Sequence, residues 1–166
     1  MHELEFEKLT VKQAGTYSLP LVKKFYKTNN MRAQAPKGDA IFIVTHGTRL
    51  VAAVRLSPNA SSNVSPNVNP NTIPNSYGDD YLLRSLCVSA EMQRQGIGSY
   101  LLNQIQNKLN KMSCYCFPYT HLTNFYKSAG FVLVAEDVAS DAIRERFQCY
   151  RNNGKDIVLM KHQSSN

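Results

Sequence analysis

Gly96 and Gly98, followed directly by Ser99, form the one stretch whose spacing suits an anion. Glycine lacks a Cβ, so backbone there can approach a ligand closely, and the first amides of a helix starting at that point have no partner within the helix. A phosphate group is a natural occupant of such a helix start. The flanking residues supply the helix: Ile97, Leu101, Ile105 and Leu109 recur at helical spacing, and a β-rich run ends at Val88. This is a strand, a polar link and a helix. Two glycines alone would fit a tight connection with no ligand equally well.

The surrounding residues sharpen this observation. Gln93-Arg94-Gln95-Gly96-Ile97-Gly98 follows Val88 closely and fits the pattern Gln/Arg-x-x-Gly-x-Gly/Ala. Here the chain resembles the GNAT superfamily of N-acetyltransferases. Phe125-Tyr126-Lys127-Ser128-Ala129-Gly130-Phe131 resembles that family's closing helix and its turn into the next strand. The resemblance implies an α/β fold, an α+β mixed sheet that is mostly antiparallel, flanked by helices, with a splayed motif strand. It implies acetyl-CoA as co-substrate and no metal. Its pyrophosphate would lie on Gln93, Arg94, Gln95, Gly96, Gly98 and Ser99, while the backbone of Leu86 and Val88 would bond the pantetheine arm. Tyr126 would protonate the departing thiolate during direct transfer to an amine, a role open to a phenol whose ordinary pKa of about 10 keeps it protonated at neutral pH.

Two departures from the family pattern follow from the same comparison. Some relatives carry a glutamate base on the motif strand where this chain has Leu82, and many carry an asparagine where it has Tyr119. Leu82 cannot accept a proton, which leaves Asp79, Asp80 and His121 as the nearest candidate bases, or no dedicated base at all. The implied function is an acyltransferase that acetylates the amine of a small molecule or peptide. The rival is a non-catalytic acyl-CoA-binding or sensing domain. A nucleotide site of P-loop type is disfavoured, because Gly96-Ile97-Gly98-Ser99 lacks the Gly-Lys-Ser/Thr ending.

Composition agrees with these readings. The 166 residues suit a single domain over 1–166, and 43% apolar with 19% charged residues is ordinary for a globular protein. No apolar run reaches the length of a membrane span and the acidic start lacks the layout of a secretory signal, so a cytoplasmic location is expected. The net charge of +7 suits a polyanionic ligand, but the basic residues form no dense run beside aromatics, so nucleic-acid binding is not expected. Cys87, Cys114, Cys116 and Cys149 read as free thiols, since two cysteines on one face of a strand make a poor metal or redox site. Homodimers are common in the resembled family, though no segment here marks an interface.

The elements that must hold the site are legible in outline. Residues 3–9 alternate and predict a strand, and a helix carries Leu21, Val22, Phe25 and Tyr26 after Pro20. Residues 29–38 predict a short helix and loop, and 40–45 with 49–56 a hairpin about His46-Gly47-Thr48. From Ser57 to Ser76, Asn, Ser and Pro fill fifteen of twenty positions with no charge among them, so a surface insertion at about 57–79 is expected. Then come a strand over 81–88, a helix over 96–112, a strand over 113–117, the Tyr126 helix and a strand over 131–135. Ser140 is placed to cap a further helix, and 156–161 closes the chain as a strand.

Overall fold

The computed structural model describes residues 6–32, 38–59 and 80–164. The chain forms two compact units, one of Met1–Ser57 with Leu83–Asn107 and one of Pro58–Leu82 with Lys108–Asn166. Both mix strands and helices.

In the first unit the strands follow the order β1 (Leu9–Gln13), β2 (Ala40–His46), β3 (Arg49–Asn59, leaving the unit after Ser57) and β4 (Asp80–Val88, entering it at Leu83). β1 and β2 pair antiparallel from Leu9↔His46 to Gln13↔Phe42, and β2 and β3 pair from Ala40↔Leu56 to His46↔Arg49. This ladder corrects the expected first strand. Phe6–Lys8 is a single 3-10 turn and the strand begins only at Leu9, because pairing with β2 rather than local alternation decides where extended backbone is satisfied. The hairpin lies where expected, with Gly47 at φ 60° in its turn, but β3 runs on to Asn59, three residues into the Asn/Ser/Pro segment. The rest of that segment, and residues 33–37 of the short helix and loop expected at 29–38, fall outside the described residues.

Helix α1 (Leu19–Thr28) carries Pro20 in its first turn, where the missing N–H costs no helical bond. It buries Val22, Phe25 and Tyr26 among Ile41, Ile43, Leu50, Ala53 and Cys87. After β4 a 3-10 turn (Ala90–Met92) leads to helix α2 (Ile97–Gln104), which buries Ile97, Leu101 and Leu102. The expected single helix over 96–112 is broken at Ile105, whose dihedrals of −98° and 5° leave the helical region, and α3 (Gln106–Leu109) follows. Ile105 and Leu109 are nevertheless both buried, so the apolar stripe read from the sequence is the buried one.

In the second unit β5 (Ser113–Cys116), β7 (Met160–His162) and β6 (Phe131–Leu133) lie in that order, antiparallel, with β7 in the middle. β7 is shorter than the expected 156–161. The preceding residues instead run along 118–120, with Thr120 N–H on the Asp156 carbonyl and Val158 N–H on that of Pro118, both at 3.0 Å. Helix α4 (Thr123–Ser128) carries Tyr126 and stops before Gly130, whose φ of 88° lets the chain turn into β6. Helix α5 (Asp141–Asn152) buries Ile143 and Phe147 against Leu82, Tyr115 and Leu159. Ser140 stands at its N-cap position, but its hydroxyl donates to Asp80 and not to the helix. All four cysteines are free, three of them buried.

Candidate functional site

The first unit holds every residue singled out for cofactor binding. Leu86 and Val88 are half-buried in β4, and residues 93–96 are exposed on the loop beyond it. The loop is braced by its own side chains: Gln93 Nε2 donates to the Val88 carbonyl at 3.1 Å and Gln95 Nε2 to that of Glu91 at 3.0 Å. Both glutamines therefore shape the loop through their side chains, and the Gln93 N–H closes the 3-10 turn on the Ala90 carbonyl. Glu91 also pairs with Arg49 across the unit. Arg94, at φ 60°, and Gly96, at φ 83° and ψ 4°, both adopt left-handed backbone, which folds the loop back onto the start of α2.

Gly96 is the N-cap of α2, and the first helical bond is Tyr100 N–H to the Gly96 carbonyl at 2.9 Å. The N–H groups of Ile97, Gly98 and Ser99 precede that ring and point out of the helix end, where an anion would meet them. A Cβ on Gly96 would sit 3.4 Å from Phe6 Cζ, and Phe6 itself leans on Tyr100 with ring centroids 5.5 Å apart. Phe6 thus walls the loop and is no part of the core, at 42% exposure.

Tyr126 belongs to the second unit. Its ring stands edge-on to Phe125 at 5.1 Å and to Phe131 at 5.9 Å. No hydrogen bond from its hydroxyl is found among the described residues. Burial, with a smaller contribution from Cys116, pushes its pKa well above the usual phenol value, so it stays protonated. The candidate bases are sorted by their surroundings. Asp80 is buried and accepts hydrogen bonds from Ser113 Oγ at 2.7 Å and from Ser140 Oγ, so it ties β4 to its neighbours in that unit. His121 is exposed and stacks on Tyr119, 5.9 Å between centroids with the planes 15° apart. Leu82, where some relatives have glutamate, is buried in the apolar core. Asp79 lies outside the described residues.

A polar network in the first unit escaped the sequence reading. Arg55, on β3, places Nε 2.8 Å and Nη2 2.6 Å from Asp39 Oδ2, which also accepts from Ser57 Oγ at 2.7 Å. Tyr26 donates its hydroxyl to the Ser85 carbonyl of β4 at 2.9 Å. The signal was present: Arg55 is a lone charge inside the apolar run Leu50-Val51-Ala52-Ala53-Val54-Arg55-Leu56, where a charge needs a partner. Among the described residues no group of three or more His, Cys, Asp or Glu side chains is placed to hold a metal ion.

Comparison with known proteins adds the following. Residues 37–133 match the model of the acetyltransferase (GNAT) domain. No curated protein matches the sequence. Among solved structures, N-acetylglutamate synthase from Neisseria gonorrhoeae, in complex with coenzyme A and L-arginine, superposes with a TM-score of 0.64 at 14% identity. That match covers 95% of this chain but only 34% of the synthase chain. Arabidopsis thaliana Naa50 bound to a bisubstrate analogue, CoA-Ac-MVNAL, gives 0.62 at 14% identity over 94% of this chain and 99% of its own. The ribosomal-protein-S18-alanine N-acetyltransferase of Escherichia coli gives 0.57 at 15% identity over 95% of each. At such identities the likeness is one of fold.

Proposed function

The chain belongs to the acetyltransferase (GNAT) domain family, and from that premise we propose that it is an acetyl-CoA-dependent N-acetyltransferase acting directly on the amine of a small molecule or peptide. The observation that carries this reading is the start of α2, with Gly96 in left-handed backbone and the amides of Ile97, Gly98 and Ser99 preceding the first helical bond. Diphosphate oxygens suit those donors, and Arg94 adds a positive charge on the same loop. The backbone of Leu86 and Val88 is assigned to the pantetheine arm. Gln93 and Gln95 act mainly by fixing the loop.

Acetyl-CoA supplies the activated acyl group, the amine forms the new C–N bond as the C–S bond breaks, and Tyr126 gives its phenolic proton to the sulfur. A half-buried phenol held protonated suits that donor role. With Leu82 in the core and Asp80 committed to two serines, deprotonation of the amine falls to His121, to Asp79 or to water. The neighbours in fold include a synthase with N-acetyl-glutamate bound and an enzyme with a peptide-derived bisubstrate analogue, so both acceptor classes fit the scaffold. A cytoplasmic location and a homodimer belong to the same proposal. Among the described residues no helix is long and apolar enough to cross a membrane.

The test is free-thiol release from acetyl-CoA against amines, amino acids and basic peptides, with Tyr126→Phe alongside. Release that needs one acceptor class and falls at least about tenfold in the variant supports the transferase and the acid role. Acetyl-CoA that raises thermal stability without turnover on any acceptor would favour a sensing domain. A chain that binds no CoA compound would refute the reading.

A further inference from the structure

Ser85 has φ 57° in the interior of β4, a left-handed conformation that a serine in a strand does not choose. Such a residue persists only where its surroundings over-determine it. Three side chains do so. Tyr26 donates to the Ser85 carbonyl at 2.9 Å, Arg55 Nη1 lies 3.4 Å from Ser85 Oγ, and Arg55 is itself locked to Asp39 through two nitrogens on one carboxylate oxygen. The Arg55 and Asp39 side chains are 5% and 6% exposed. A buried ion pair is a weak source of stability, because desolvation offsets most of its attraction and apolar residues of the same size would serve as well. Its place against the kinked residue of β4 gives it a different use.

The kink is also where the strand matters most. Leu86 and Val88 follow it, and Cys87 between them belongs to the same apolar cluster as Tyr26. Helix α1 therefore grips β4 on both sides of Leu86. We propose that Tyr26, Arg55 and Asp39 are positioning residues that hold the left-handed kink at Ser85 and so aim the backbone of Leu86 and Val88 at acetyl-CoA. This rests on the reading that β4 carries the pantetheine arm. None of the three touches the reacting atoms; each acts through Ser85.

The experiment compares Tyr26→Phe, which keeps the buried ring and removes only the donor, with Val22→Ala, which weakens the same cluster without a polar contact to β4. Acetyl-CoA affinity is measured by calorimetry well below the melting temperature of each variant, and KM and kcat by thiol release. Tyr26→Phe is expected to raise Kd and KM for acetyl-CoA about five- to tenfold, the loss of one buried hydrogen bond, while kcat at saturation stays within about twofold. Val22→Ala is expected to lower the melting temperature with Kd within about twofold of wild type. Equal affinities in Tyr26→Phe and wild type, or equal losses in the two variants, would overturn the positioning role. A wild-type chain that binds no acetyl-CoA would instead overturn the cofactor reading beneath it, and this inference with it.

Discussion

Replacing Gly96 by alanine tests the loop at the point where backbone and ligand requirements meet. At φ 83° and ψ 4° an L-residue pays for its Cβ, by about 1–2 kcal/mol. Alanine returns part of this, about 0.4–1 kcal/mol, by restricting the unfolded chain. The added Cβ would lie 3.4 Å from Phe6 Cζ, an ordinary contact, so no further steric cost is added. The net loss is about 1 kcal/mol, which in a chain of this size lowers the melting temperature by roughly 2–4 °C. The methyl also intrudes where backbone must approach the diphosphate, so the Kd for acetyl-CoA should rise at least about tenfold, more than the stability loss alone implies. Gly96→Asn separates the two effects, since asparagine tolerates left-handed backbone: it should recover most of the melting temperature but not the affinity. Thermal melts of the ligand-free protein and calorimetric titration read both quantities. A Gly96→Ala protein that melts with wild type would show that the conformation is not required, and unchanged affinity would remove this loop from the cofactor site.

Further outcomes follow from individual side chains. Tyr126→Phe should lower kcat at least about tenfold with Kd for acetyl-CoA within about threefold, and because burial raises the phenol's pKa, any alkaline limb it causes must lie above about pH 10. A similar kcat in the variant would move the proton donor elsewhere. Asp80→Ala removes a buried carboxylate that accepts from two serine hydroxyls and should cost about 2 kcal/mol, or roughly 4–8 °C in melting temperature, with kcat measured below the transition unchanged. A selective loss of kcat would return Asp80 to the list of bases. His162, buried edge-on against Phe131, has its pKa lowered by burial, so the fold favours the neutral ring. As pH falls, the unfolded chain takes up the proton first; the stabilisation is complete above about pH 6.5 and is lost as pH drops toward the lowered pKa. The melting temperature of wild type should therefore fall more steeply than that of His162→Gln between about pH 7 and 5, and parallel curves would refute this.

Local patterns in the chain were enough for much of this architecture. The stripe Ile97, Leu101, Ile105 and Leu109 is the buried face of α2 and α3, and Gly130 stops the Tyr126 helix where a glycine was expected, because periodicity and glycine conformation are properties of neighbouring residues. The family pattern at 93–98 and at 125–131 was equally readable, and residues 37–133 match the family model. Strand ends were not. β1 begins at Leu9 and β7 is cut to Met160–His162 because backbone groups pair with whichever strand lies opposite, a choice no local window contains. Only tertiary structure placed the hydroxyl of Ser140 on Asp80, 60 residues away in sequence, and not on its own helix. It likewise brought Tyr26 within 2.9 Å of Ser85, 59 residues on, and turned Arg55 from an oddity in an apolar strand into one half of a buried pair. A side chain's type states what it can donate or accept. Which partner it finds, and so whether it holds a strand, caps a helix or serves a ligand, depends on distances that exist only once the chain has folded.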